Sequence, residues 1–190
     1  PINTTRIASD LAVSGLDAEE ITRTLHAEGL AEIDIANLNS PAQIVVSGPA
    51  ADIARAVAAF TGRRVACVPL KVSGAFHSRY MRAAAEEFAD FLRGVRFRSP
   101  SLPVIANVDA RPYAEDRIAA KLVEQMTHPV QWTETIRYLT GKGETVFEEV
   151  GPGRVLTRLI GRIRNDAPGP GAGHDPAAAG RSLPPPDRGA

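Results

Sequence analysis

Cysteine is almost absent: Cys67 stands alone in 190 residues, so no disulfide can close within the chain. A reducing compartment, the cytoplasm, is the expectation. Aromatics make up only 5% of residues, and Lys plus Arg match Asp plus Glu at 22 each with no dense basic run. The chain therefore lacks both the charged stripe and the stacking platforms that hold nucleic acids. No apolar run of about eighteen residues is present to span a bilayer. Nor does the N-terminus carry a basic region followed by an apolar one, so neither a membrane nor a secretory route is indicated. No metal-ligand spacing of His, Cys, Asp and Glu occurs, and no metal is expected. The chain starts at Pro1 rather than Met, which suggests that residues have been lost before it.

What is present is an apolar content of 44%, enough for a core, organised in a legible order. Asp10 to Ser14 reads as a strand. Asp17 to Glu28 reads as a helix, with Asp17 and Glu20 spaced as a capping box and Gly29 placed to end it. Ile33 and Ile35 alternate with polar or small neighbours in a second strand, Asn39-Ser40-Pro41 reads as a turn, and Gln43 to Ser47 is a third strand. Pro49 opens a helix with Ile53, Val57 and Phe60 on one face, and Arg64 to Leu70 is a fourth strand. The succession βαββαβ predicts a split-βαβ, ferredoxin-like unit over residues 9–70.

From residue 71 to 164 the pattern is α/β. A helix follows His77, then come a strand at Leu102 to Asn107, helices near Arg117 to Met126 and Trp132 to Leu139, and a strand at Thr145 to Val150. After a Gly151-Pro152-Gly153 turn, Arg154 to Arg164 forms a helix with Val155, Leu156, Leu159 and Ile163 on its apolar side. Two or three strands without a closing partner predict part of a larger sheet. Residues 165–190, rich in Pro, Gly and Ala, predict a disordered tail.

One histidine stands out. Met81, Ala84, Phe88 and Phe91 or Leu92 recur at helical spacing, and Ser78 is the natural N-cap of that helix. His77 thus precedes a helix N-terminus, whose unpaired N–H groups favour the neutral imidazole that a general base needs. The same position suits a residue that merely packs or caps at a loop, and position alone leaves both open.

Four segments decide between them: Ala36 to Gly48 (ANLNSPAQIVVSG), Val72 to Ser78 (VSGAFHS), Glu124 to Trp132 (EQMTHPVQW) and Glu149 to Thr157 (EVGPGRVLT). Together, in this order, they resemble the malonyl-CoA:acyl carrier protein transacylases and the acyltransferases of polyketide synthases, over roughly residues 10–164. The resemblance implies a fold in which the ferredoxin-like unit is followed by the C-terminal part of an α/β-hydrolase-like acyltransferase subdomain. It also implies a covalent Ser/His mechanism that moves malonyl from coenzyme A to the phosphopantetheine thiol of an acyl carrier protein, with no resident cofactor. His77 then matches the catalytic histidine. Gln125 matches the residue whose backbone carbonyl accepts the other imidazole N–H. Phe76, beside the base, matches a position where an aromatic ring goes with malonyl. Asn37, with Asn39, lies where the small subdomain leans over the cleft, and Val155 follows the Gly-Pro-Gly turn near the pocket. For these two a plain turn residue and a plain helix start are equally good readings.

The family's nucleophile sits on a G-H-S-x-G elbow, and no such sequence occurs in this chain. Also missing are the early glutamine motif near the oxyanion site and the arginine that pairs with the malonyl carboxylate. Ser73 and Ser78 are no substitutes, and Cys67, inside an apolar strand, reads as a core residue. The expectation is the C-terminal half of a transacylase, inactive alone, whose partners are malonyl-CoA, acyl carrier protein, polyketide synthase modules or the missing N-terminal half. The alternative is a degenerate module that binds acyl carrier protein without catalysis.

Overall fold

The computed structural model describes residues 8–166 apart from Gly62, Arg64 and Ser73. Strand β1 (Ala8–Ser14) leads into α1 (Ala18–Ala27), β2 (Asp34–Ser40), β3 (Gln43–Pro49), α2 (Ala50–Phe60) and β4 (Ala66–Leu70). The four strands form one sheet in the order β2-β3-β1-β4, and every neighbouring pair is antiparallel. Those directions and that order are what the succession βαββαβ predicts.

The local signals act as read. Asp17 accepts from the Glu20 N–H and Glu20 accepts from the Asp17 N–H, so two otherwise unpaired donors of α1 are satisfied. Gly29 takes φ +65° after that helix, a left-handed conformation that glycine adopts without steric cost. Alternation along the strands sends Leu11 and Val13 of β1 and Ile44 and Val46 of β3 to one face, where Ile21 and Leu25 of α1 and Ile53 and Phe60 of α2 cover them. Asn39 and Ser40, expected in a turn, instead complete β2.

Beyond β4, Ser78 caps a short 3-10 turn, Arg79–Met81, that runs into α3 (Arg82–Leu92). There follow α4 (Ile118–Glu124), α5 (Trp132–Gly141) and α6 (Val155–Asn165), making six α-helices among the described residues. None of these is long and apolar enough to cross a membrane.

The two strands expected in this half do not form. In the first, Ala106 N–H donates to Arg111 O and Tyr113 N–H to Val104 O, so the backbone pairs within its own loop, leaving one isolated bridge at Ile105. Thr145 to Val150 finds no neighbouring strand among the described residues, and a strand exists only as a member of a pair. The cost is visible in exposure: Leu102 is 75%, Val146 86% and Val150 93% accessible. On α6, Leu159 and Ile163 are buried but Val155 and Leu156 are exposed, so only half of the expected apolar side has a partner. The expected disorder of 165–190 falls, after Asp166, outside the described residues.

Candidate active site

The loop between β4 and the 3-10 turn holds His77 at φ +60°, a left-handed conformation that costs a non-glycine residue about 1–2 kcal/mol. Three sets of contacts hold it there. Ser78 donates its hydroxyl to Ala75 O at 2.6 Å, closing the backbone around His77 from a fully buried position. The Nδ1 of His77 lies 2.7 Å from Gln125 O. A carbonyl only accepts, so Nδ1 carries the hydrogen, and in the neutral ring the lone pair is on Nε2. On the far side, the Arg79 N–H donates to Asp34 at 2.8 Å, and its guanidinium grips the same carboxylate through Nε and Nη2.

Gln125 is itself fixed. It follows α4 as the C-cap residue, and its Oε1 accepts from Asn107 Nδ2 at 3.2 Å. Asn107 O in turn accepts from the Gln131 N–H. The segment after Gln125 is tied to β2: Val130 N–H donates to Ala36 O, and Leu38 N–H to Val130 O, a parallel bridge centred on Asn37. The structure thus joins His77 and Gln125 directly and places Asn37 on the strand that carries their support. Phe76 is 43% exposed. Val155 opens α6 at 57% exposure, and no described hydrogen bond connects it to His77. Near it, Glu149 accepts from the Leu156 and Thr157 N–H groups and the Thr157 hydroxyl. These bonds, the hydroxyl's first, hold its carboxyl below the usual range.

Sequence reading missed several groups. Asp10 and Ser47 are cross-strand partners on the sheet face opposite the α1/α2 core, both buried, with the Ser47 hydroxyl 2.5 Å from Asp10 Oδ1. Burial pushes the Asp10 carboxyl up from its ordinary value, while the Ser47 hydroxyl and the nearby His77 pull it down. In sequence Asp34 is a polar neighbour of Ile33 and Ile35 in an alternating strand, and Asn107 is the last residue of the expected strand at Leu102 to Asn107. A contact spanning 45 residues, Asp34 to Arg79, leaves no local signal.

Among the described residues no nucleophile stands beside the base. Ser78 has committed its hydrogen to Ala75 O, Ser73 lies outside the described residues, and burial pushes the Cys67 thiol up, away from the reactive thiolate. Among the described residues no hydroxyl is hydrogen-bonded to His77. A groove of about 450 Å³ runs between residues 145–149 and α6, lined by Trp132, Phe147, Leu156 and Ile160 but not by His77.

Comparison with known proteins gives this arrangement a setting. The acyl transferase domain matches residues 6–170. The chain is similar to a polyketide biosynthesis malonyl CoA-acyl carrier protein transacylase of Bacillus velezensis, 52% identical over 157 residues, covering 82% of this chain and 54% of the relative. Its fold is similar to the malonyl CoA-acyl carrier protein transacylase of Burkholderia pseudomallei, with a TM-score of 0.82 at 45% identity, over 86% of this chain and 58% of that one. It also resembles a malonyl-transacylase solved in complex with a type II polyketide synthase acyl carrier protein, with a TM-score of 0.80 at 35% identity, over 85% and 53% of the two chains. The chain spans about half the length of the relatives it matches.

Proposed function

The chain belongs to the malonyl-CoA:acyl carrier protein transacylase family, and from that membership we propose that it supplies the base-bearing part of an S-malonyltransferase. The observation that carries this reading is the His77 Nδ1 to Gln125 O bond of 2.7 Å. It holds the ring in one tautomer and leaves Nε2 to take a proton, the orienting task that a carboxylate performs in other triads. The serine comes from the part of the fold the chain does not span. In the first half-reaction His77 Nε2 accepts the serine proton as the oxygen attacks the malonyl thioester carbon. The carbon–sulfur bond breaks and coenzyme A leaves as its thiol, taking the proton back from the imidazolium. In the second half-reaction His77 Nε2 takes the proton of the acyl carrier protein's phosphopantetheine thiol as its sulfur attacks the malonyl-serine ester carbon; the carbon–oxygen bond breaks and the serine oxygen takes the proton back from the imidazolium. Gln125 acts through its backbone carbonyl, and its side chain, bonded to Asn107, keeps that carbonyl in place. Phe76, Asn37 and Val155 are proposed to border the acyl pocket. Residues 9–70 and 71–164 are proposed as the small subdomain and the C-terminal part of the large one.

A second reading, a non-catalytic module that binds acyl carrier protein, is favoured by the commitment of the Ser78 hydroxyl to Ala75 O. Incubation with malonyl-CoA followed by intact-mass measurement separates the two. The chain alone is expected to gain no malonyl group. Mixed with the unspanned segment of the Bacillus velezensis relative, it is expected to support acylation of that segment's serine and transfer to acyl carrier protein, and His77→Ala abolishes both. Acylation of this chain by itself overturns the proposal, and a mixture that binds acyl carrier protein but transfers nothing selects the second reading.

A further inference from the structure

His77 is held by its ring on one side and by its backbone on the other, and the two holds come from different parts of the chain. The ring is bonded to Gln125, after α4. The backbone just after it is pinned to the approach to β2. Asp34 accepts from the Arg79 N–H and from both Nε and Nη2 of its guanidinium, Nη2 also reaches Ala31 O at 3.2 Å, and the neighbouring Tyr80 hydroxyl donates to Glu32 O at 2.7 Å. A two-pronged guanidinium–carboxylate contact fixes direction as well as distance. Here the carboxylate also takes a main-chain N–H two residues from the strained φ of His77. A left-handed non-glycine residue persists only where its surroundings over-determine it, and Asp34 supplies the restraint on the C-terminal side.

We propose that Asp34, acting through Arg79, is a positioning residue for the His77 imidazole, holding the backbone turn that aims the ring at Gln125. The value of that role rests on the reading of His77 as the base, but the geometry does not. Without the clamp, the residues after His77 are free to relax to an ordinary φ. That relaxation swings the ring off the Gln125 carbonyl and exposes both ring nitrogens. The function would be lost by misplacement while the sheet, whose core lies on the other face, remains folded.

Diethyl pyrocarbonate acylates free imidazole nitrogens and needs no transferase activity, so it tests the clamp in the full chain as it stands. Rates are read separately at His77 and at His26, on α1 and remote from the clamp, by peptide mass spectrometry. Asp34→Ala is expected to raise the rate at His77 about fivefold, the scale set by releasing one left-handed residue, and Arg79→Ala, which keeps the main-chain N–H to Asp34, to raise it less, with His26 unchanged in both. The double variant is expected to do no more than Asp34→Ala, which already removes the main-chain and the guanidinium contacts together. Asp34→Asn, which keeps an acceptor for the Arg79 N–H, is expected to show a smaller rise, and Asp34→Glu to restore most of the parent behaviour. Equal rates at His77 in parent and Asp34→Ala overturn the proposal. A joint rise at His26 and His77 also overturns it, since Asp34 would then hold up the fold as a whole. Failure of malonyl transfer in the mixing experiment would leave the result unaffected, so the two ideas fail separately.

Discussion

Supplying the part of the acyl transferase fold that the chain does not span is expected to cover Leu102, Val146 and Val150. These three expose the equivalent of about two and a half side chains. At about 1.5–3 kcal/mol for each fully buried side chain, covering them is worth about 4–8 kcal/mol. Association itself costs about 4–15 kcal/mol in lost freedom, so these side chains decide whether a complex forms at all. Val150→Ala removes about two methylene equivalents, about 1.6 kcal/mol, which weakens binding by about fifteenfold. Thr22→Ala, on the outer side of α1, is expected to change nothing. The assay is built into the chain: Trp132 is its one tryptophan, it lines the groove beside residues 145–149, and its buried Nε1 has no hydrogen-bond partner among the described residues. A buried donor left without an acceptor costs about 1–3 kcal/mol, and an incoming backbone carbonyl would remove that cost. Titration with a tryptophan-free segment of the Bacillus velezensis relative, followed by Trp132 emission, reads the affinity directly. Equal affinities for parent and Val150→Ala, or saturable binding that leaves Trp132 emission untouched, would refute the assignment of this face.

Two further outcomes follow from single side chains. Because burial raises the Asp10 carboxyl above its ordinary value of 3.8, the folded state keeps that proton to higher pH than the unfolded chain, and stability from this group falls as pH rises through the window above 3.8. The melting temperature of Asp10→Asn is therefore expected to gain on the parent between pH 4 and pH 7.5, and a difference independent of pH would refute the burial argument. In an enzyme completed with the serine-bearing segment, Phe76→Ser is expected to lower the malonyl-to-methylmalonyl ratio of kcat/KM by about ten- to two-hundredfold, the range for admitting one methyl group; an unchanged ratio in a folded variant removes the exposed ring from the pocket.

Sequence reading succeeded wherever the deciding interaction was local. The capping box of Asp17 and Glu20, the left-handed Gly29 and the alternation of Leu11 with Val13 each involve neighbours a few residues apart, and their sum specifies the sheet order with few alternatives. It failed at Thr145 to Val150 for a reason equally physical. Alternation states which backbone a segment prefers, whereas a ladder needs a second strand to receive its N–H and C=O groups. The same reading that marks these residues as strand-like therefore marks backbone that has no ladder partner among the described residues, and the exposure of Val146 and Val150 measures how much is left uncovered. The site divides along the same line. The resemblance carried by four short segments pointed to His77 and Gln125, two residues 48 apart that no periodicity could have paired. Asp34 lies in a strand that was correctly read and Arg79 just after the expected cap Ser78, yet neither stood out in sequence, because a solvated charge and a clamped one look alike in one dimension. What separates them is the cost carried by the neighbour: a histidine at φ +60° requires something on each side to keep it there, and the search for that restraint leads from Gln125 on the ring to Asp34 on the backbone.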